Sequence, residues 1–333
     1  MSQEDQLRIL ITGASGFVGR HLIKRLRAEY PSAAIFGFSH VAHPSDGVVA
    51  HPQLTILTGD IRSFADVRAA IVGAHPDWIF HLAGQASVAA SWNDPATTLA
   101  INAGGAINLL EAVRAEELSP RIVLVGSGEQ YGVVPAEDNP IKETYPPAPV
   151  NPYAVAKQAQ DLFGYQYWVS YRLPTIRVRA FNHFGSFQDD AFVVASLAQQ
   201  IAEIEAGRHP PTLFVGNLEA RRDFLPVGDV VRAYIALAEH GTPGNVYNVG
   251  SGAARPVSEL LDILLSFAIC PIEVQRDPAR FRPVDIPLIE ADISRIRAET
   301  GWEPQIPFDL ALRETLDYWR AKTAHVAAQS KHT

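Results

Sequence analysis

The chain has 333 residues, 47% of them hydrophobic and 19% charged, a composition that excludes a disordered protein. At about 150 residues per domain this length allows two domains and a large core. Lysine and arginine number 28 and aspartate and glutamate 36, so the formal net charge is −8, and with no basic tract nucleic acid is excluded as a partner.

In chain order, Leu7 to Thr12 (LRILIT) reads as a buried strand, and Gly13 to Tyr30 as a turn followed by an amphipathic helix. Ala34 to Phe38 and Thr55 to Thr58 read as the next strands, and Phe64 to Val72 as a helix. Asp77 to Leu82 (DWIFHL) is a fourth strand, Ala96 to Glu116 one long helix, and Arg121 to Val125 (RIVLV) a fifth strand. This alternation, with continuous apolar strands, predicts a parallel sheet covered by helices on both faces.

Val133 to Pro152 holds six prolines and reads as a long loop over the sheet edge. A helix from Tyr153 to Tyr171 and a sixth strand from Thr175 to Arg179 follow. The second half is mixed. Helices are expected over Phe192 to Ala206, Val227 to His240, Val257 to Ser266 and Asp309 to Lys322. Strands are expected over Thr212 to Val215, Val246 to Val249 and Ile272 to Gln275. It reads as a smaller α/β lobe set around returning strands, with a frayed tail from Thr323. No helix-length apolar run of about 18 residues spans a membrane. The acidic, polar start does not read as a signal peptide, and the single cysteine, Cys270, leaves no intrachain disulfide. A reducing, cytoplasmic setting is expected.

Gly13, Gly16 and Gly19 form G-x-x-G-x-x-G between the first strand and its helix. The first glycine permits the tight turn, the second lets a pyrophosphate approach the backbone, and the third lets the helix pack close to the sheet. The end of the second strand reads Phe38-Ser39-His40, with no acid to hold an adenosine ribose 2′-hydroxyl. This tilts the expectation toward NADPH, with NADH as the alternative. His40, His43 and His51 have no recurring ligand spacing and read as a solvated loop, not a metal site.

Tyr153 and Lys157 lie i, i+4 on one helix face, with Asn151 placed to cap the helix and Pro152 in its first turn. An adjacent ammonium favours an ionised tyrosine, and lowering its pKa by about three units takes roughly 4 kcal/mol. Ser127, just past the fifth strand, is placed to donate to a substrate oxygen that gains charge. A Tyr-x-x-x-Lys pair alone is usually a surface pair. Here it follows the glycine turn and Ser127 in chain order.

These motifs, GASGFVG (13–19), HLAG (81–84), GSGEQYG (126–132) and NPYAVAK (151–157), resemble those of the extended short-chain dehydrogenase/reductase family over essentially the whole chain, to about Arg320. The resemblance implies a doubly wound Rossmann sheet with a smaller C-terminal α/β substrate lobe. The dinucleotide half would be 1–182 with about 223–250, the lobe 183–222 with 251–322, and the tail 323–333. It implies a dinucleotide site with Phe17, Val18, Leu82, Ala83 and Gly84 in the groove, Asp60 and Ile61 by the adenine, and Asn102 supporting the catalytic end. From the residues alone, Asp60 is equally a turn acid and Asn102 an ordinary helix amide.

The blocks FNHFGSFQ, GNLEARRDF, YNVGSG, DPARFRPVDIP and TGWEPQIP resemble those of GDP-sugar enzymes of that superfamily, 4,6-dehydratases and 4-keto-6-deoxy-sugar reductases, and are most similar to the reductases. Arginines on loops facing a cofactor groove suit a diphosphate. The resemblance places Ser87 and Asn182 at the sugar, Asn217 and Leu218 at the nucleoside, Arg222 and Arg282 at the diphosphate and Asp285 at its ribose. Ser127-Gly128-Glu129 cuts both ways: Glu129 keeps a candidate base for a 4,6-elimination, while Gly128 lacks the neighbouring side chain that the dehydratases carry. The expected activity is NAD(P)H-dependent reduction of the C4 ketone of a GDP-4-keto-6-deoxy-hexose. A 4,6-dehydratase using Glu129, another nucleotide-sugar epimerase or dehydratase, and a cofactor-sensing protein without activity are the alternatives. A homodimer through helices 96–116 and 153–171 is expected, with Ala156, Phe163, Tyr167 and Val169 supplying apolar area unless they face the sheet.

Overall fold

The computed structural model describes residues 6–40, 54–280 and 286–330. The strands are β1 (Arg8–Thr12), β2 (Ala34–Ser39), β3 (Leu54–Thr58), β4 (Trp78–His81), β5 (Arg121–Val125), β6 (Thr175–Ala180), β7 (Asn182–Phe184), β8 (Thr212–Val215), β9 (Arg221–Pro226), β10 (Val246–Val249), β11 (Ala254–Pro256), β12 (Glu273–Arg276) and β13 (Leu288–Ile289). The helices are α1 (Phe17–Glu29), α2 (Phe64–Ala74), α3 (Val88–Asn93), α4 (Pro95–Leu99), α5 (Gly105–Ala115), α6 (Pro152–Tyr171), α7 (Val193–Glu205), α8 (Val227–His240), α9 (Val257–Ser266), α10 (Ser294–Thr300) and α11 (Phe308–Ser330).

Seven parallel strands form the central sheet in the order β10-β6-β5-β4-β1-β2-β3. The apolar residues of the inner strands β1, β4, β5 and β6 are mostly buried on both sides, as a parallel sheet between two helical layers requires, while those of the edge strand β3 are half-buried. One layer packs α1 against α8; the other packs α2, α5 and α6 together. Chain order reverses beside β1, which pairs with β2 on one side and β4 on the other. Open α/β sheets bind ligands in the crevice at such a point.

The second half builds a smaller layer. β9 pairs with β11, β13 and β7, and β8 pairs with β12. A separate core of α7, α9 and α11 side chains, including Ile201, Leu260, Leu264 and Leu316, stands beneath it. Asp223 on β9, fully buried, accepts from the Ser251 backbone N–H and hydroxyl, the Gly252 N–H and the Ala291 N–H, and so fastens the loops after β10 and β13 to β9.

Three sequence expectations are altered. The single helix expected over 96–116 is α4 and α5 joined by one π-helical turn, Ala100–Gly104. The last helix runs through Ser330 where the sequence pattern ended it at Lys322; Thr323 is buried and its carbonyl accepts from Arg208 at 2.5 Å. On α6, Ala156 and Tyr167 are buried within the chain, Phe163 is half-buried, and the exposed large apolar side chains are Val155, Leu162, Tyr165, Val169 and Tyr171. The proline-rich loop does lie along the sheet edge: Ile141 is fully buried and bridges to Ala291, and the Glu143 carboxylate accepts from the Asn248 N–H of β10 at 2.9 Å.

Candidate active site

A cleft of about 1120 Å³ opens across the C-terminal ends of the central strands. Single small-molecule sites run to about 300–1000 Å³, so this one has room for two ligands side by side. Its lining combines Gly13, Gly16, Phe17, Val18, Gly19, Leu82 and Gly84 with Ser87, Ser127, Glu129, Tyr153 and Lys157, and with Asn182, Asn217, Leu218 and Arg222.

The glycine turn is built for close approach. Gly13 has φ +73°, and a Cβ there would lie 2.8 Å from the Ala83 nitrogen. A Cβ on Gly19 would lie 2.4 Å from the Gly13 carbonyl oxygen, so only glycine lets α1 enter at this angle. Gly16 is the N-cap of α1, no side chain caps its first turn, and Gly16 to Gly19 line the cleft. Beside the turn, Ser39 is held by a 2.8 Å hydrogen bond between its hydroxyl and that of Ser15, and His40 is exposed.

Four expected cofactor residues stand behind or beside the lining. Ala83 donates its N–H to the Thr12 hydroxyl at 3.2 Å. Asp60 is gripped by the Arg62 guanidinium, which holds its carboxyl below the usual range, and Ile61 is buried against Gly105. Asn102, in the π turn, is fully buried; its amide donates to the Gln85 carbonyl at 3.0 Å and accepts from the Gln85 N–H at 2.8 Å. The π turn thereby fixes the stretch after β4, a common use of such turns at functional sites. Arg282, Asp285, His43 and His51 lie outside the described residues.

The catalytic side chains come from two elements. Ser127 follows β5, and its hydroxyl accepts from the Glu129 N–H at 3.2 Å, while Gln130 Oε1 accepts from the Ser127 N–H at 2.8 Å. Gln130 in turn donates to Asp161 at 3.1 Å, and Asp161 pairs with Arg177 at 2.6 Å and Arg179 at 2.9 Å. Ser127 thus rests on a buried polar network. α6 supplies Tyr153 and Lys157; the Asn151 side chain caps its start by accepting from the Ala154 N–H at 2.8 Å. The same Asn151 donates to the Glu129 carboxylate at 3.2 Å.

Tyr153 faces Ser127 across the cleft, close enough for the serine hydroxyl to favour its ionised form. Burial pushes its pKa up to about 12, against the Ser127 hydroxyl that lowers it, and the Glu129 charge adds to the rise. The sequence argument expected Lys157 to pull Tyr153 down. The ammonium is instead turned to the Val125 carbonyl, 2.9 Å, and to Gln160 Oε1, 3.1 Å, and desolvation dominates. Burial also lowers Lys157 to about 8. His81, buried beneath, is held at about 3 by burial and by the Lys157 charge, and its Nδ1 shares a 2.9 Å hydrogen bond with Thr12.

Comparison with known proteins agrees with this geometry. The GDP-mannose 4,6 dehydratase family model matches residues 10–315. The chain belongs to that family of extended short-chain dehydrogenases/reductases. It is 37% identical to the GDP-6-deoxy-D-mannose reductase of Pseudomonas aeruginosa over 95% of this chain and 98% of the relative. Among solved structures it is similar to RMD from Pseudomonas aeruginosa complexed with NADPH, with TM-score 0.82 and 34% identity over 95% of this chain and all 100% of that one. It is also similar to the UDP-glucose 4-epimerase of Thermus thermophilus in complex with NAD, with TM-score 0.83 and 31% identity over 94% of this chain and 99% of the other.

The cradle at Gly13 and Gly19 and the uncapped start of α1 fit a bound dinucleotide. Among the described residues no group of three or more metal-ligating side chains occurs, and no helix is long and apolar enough to cross a membrane. Gln85, Gln130, Gln160, Gln188 and Tyr234 are site or support residues that the sequence did not single out. A glutamine inside a helix or loop has no spacing signal of its own, and Tyr234 falls on the buried stripe of α8 where an aromatic reads as core.

Proposed function

We propose that the chain reduces the C4 ketone of GDP-4-keto-6-deoxy-D-mannose to the C4 alcohol of GDP-D-rhamnose, with NADPH as preferred reductant and NADH as the alternative. The balanced reaction takes the ketone, one reduced cofactor and one proton to the alcohol and the oxidised cofactor. When bound, the cofactor supplies the hydride for C4. Tyr153 gives its proton to the developing alkoxide, Ser127 donates a hydrogen bond to the same oxygen, and Lys157 serves the nicotinamide ribose from the dry wall of the cleft.

The observation that carries the reading is the gathering of Ser127, Tyr153 and Lys157 on one cleft with the glycine turn of Gly13, Gly16 and Gly19. Burial keeps the proton on Tyr153 at neutral pH. Glu129 is engaged by Asn151 at the start of α6, which supports a positioning role for its carboxylate. Gly128 contributes no side chain beside it. The family model and the 37% identity to a GDP-6-deoxy-D-mannose reductase support the same substrate class.

On this reading Gly13, Gly16, Phe17, Val18 and Gly19 hold the pyrophosphate, Ser39 and His40 the 2′-phosphate, Asp60 and Ile61 the adenine end, and Leu82 to Gly84 the groove. Ser87, Asn182, Asn217, Leu218 and Arg222 serve the nucleotide sugar, and the resemblance assigns Arg282 to its diphosphate and Asp285 to its ribose. The exposed α6 stripe Val155, Leu162, Tyr165 and Val169 supports a homodimer, and the single cysteine a cytoplasmic setting. The dinucleotide half is 1–182 with about 223–250, and the lobe 183–222 with 251–322.

The test follows NADPH absorbance with the keto-sugar as substrate and identifies the sugar product. Stoichiometric NADPH loss with formation of GDP-rhamnose, falling by a factor on the order of 10²–10⁴ in Tyr153→Phe, is the expected result. Turnover of GDP-mannose to the keto-sugar without added reductant, abolished in Glu129→Gln, would replace this reading with the dehydratase one.

A further inference from the structure

Among the described residues, four other than glycine have a positive φ: His75, Glu117, Arg172 and Phe187. His75 and Arg172 cap the ends of α2 and α6, and Glu117 follows the end of α5, the ordinary place for a left-handed residue. Phe187, at φ +70°, stands instead in the turn between β7 and α7. No helix end asks for it there, and a bulky side chain in this region is an outlier. Such residues persist only where their surroundings over-determine them, and they gather at ligand clamps.

What holds Phe187 comes from both halves of the chain. Its ring lies 4.9 Å from that of Tyr318 on α11. On the other side it lies 5.8 Å from the His21 ring and 5.1 Å from the Arg20 guanidinium carbon, both on α1. His21 Nε2 shares a 2.9 Å hydrogen bond with the Ser186 carbonyl, and Arg20 donates to the Ser15 carbonyl of the glycine turn at 2.9 Å. Phe17, in the first turn of α1, stacks on His183 with ring centres 5.9 Å apart and planes 13° from parallel. The turn after β7 is therefore gripped by the helix that opens the dinucleotide site and by the last helix of the lobe. His183, Phe187 and Gln188 also line the cleft, together with Gly16 and Phe17 of α1 and Val193 and Ser196 of α7.

We propose that Phe187 is a positioning residue that couples the two ligands of the cleft. The arrangement of the turn that its left-handed backbone imposes is the one both a dinucleotide and a nucleotide sugar bind, so whichever arrives first stabilises it for the other. This rests on the reading of the cleft as a site for those two ligands and adds an energetic link between them. The handicap of a left-handed residue with a side chain corresponds to roughly a 5- to 30-fold loss of population. The first ligand overcomes that handicap and the second does not meet it, which bounds the coupling. Glycine at 187 has no such handicap.

The test titrates the full-length protein with NADPH by fluorescence, with and without saturating GDP and with no sugar substrate. In the wild type, GDP should tighten NADPH binding about 5- to 30-fold, and NADPH should tighten GDP binding by the same factor. In Phe187→Gly the factor should fall below about 2, with NADPH alone bound at least as tightly as by the wild type, and Phe187→Tyr should keep the wild-type factor. A purely structural role would weaken both ligands and leave the factor where it was. An unchanged factor in Phe187→Gly would overturn the proposal. So would a wild-type factor of one, a result read without any variant having to fold. A wild-type protein that binds no NADPH or no GDP would strike the reading of the cleft, and the proposal with it.

Discussion

Replacing Lys157 by methionine tests the electrostatics of the site without any ligand. Lys157 is 5% exposed, and burial holds its pKa at about 8 against 10.5 for a free lysine. That gap corresponds to about 3 kcal/mol of differential cost. Below pH 8 folded and unfolded chains both carry the charge, and the folded chain carries it in a dry place. Between pH 8 and 10.5 only the unfolded chain stays protonated, so stability relative to a neutral side chain rises with pH. At pH 9.5 about 2 kcal/mol has been recovered, before the tyrosines titrate. Methionine also leaves Gln160 Oε1 and the Val125 carbonyl short of a donor, a loss that is independent of pH and cancels in the comparison. The assay is urea unfolding of cofactor-free wild type and Lys157→Met at pH 7 and 9.5. The variant's stability relative to wild type should fall by about 2 kcal/mol between the two. A difference that stays constant across that range would refute the discharge of Lys157 by burial.

Asn102→Ala removes the two bonds from Asn102 to the Gln85 backbone and should cost about 1–3 kcal/mol in stability while raising the cofactor KM, read by urea unfolding and steady-state kinetics. Gly19→Ala sets a methyl group 2.4 Å from the Gly13 carbonyl oxygen and should abolish NADPH binding in a fluorescence titration. Asp161→Asn leaves Arg177 and Arg179 without their shared carboxylate, and a loss of about 3–5 kcal/mol is expected in chemical unfolding.

The parts of the molecule legible in the sequence are those whose signal is local. The strand–glycine–helix run at 8–29 and the Asn151-Pro152 start of α6 each carry their own period or cap, and both stand where the spacing put them. The π turn at 100–104 left no trace because one extra residue in a turn hardly alters an apolar helical pattern. β9 was missed because RRDFLP opens with three charged residues. Its burial becomes intelligible only with Ser251, Gly252 and Ala291 gathered around Asp223, residues distant in sequence. The direction of the Tyr153 shift was misjudged for a related reason: a spacing shows which charge is four residues away, and not how much water is left. For the dimer face, periodicity located an apolar helix but could not tell Val155 and Leu162, which face outward, from Ala156 and Tyr167, which do not.

The strand order also sets a timetable. β6 has its β5 partner already in the chain when residue 180 emerges from the ribosome, but its other neighbour, β10, begins only at residue 246. At synthesis rates of about 5–20 residues per second the intervening stretch takes roughly 3–13 s. Throughout that interval the growing chain carries an open, apolar parallel edge at β6, a template for wrong partners. A nascent chain of this fold thus carries this aggregation hazard from residue 180 to residue 246, and slowing translation within that stretch lengthens the exposure.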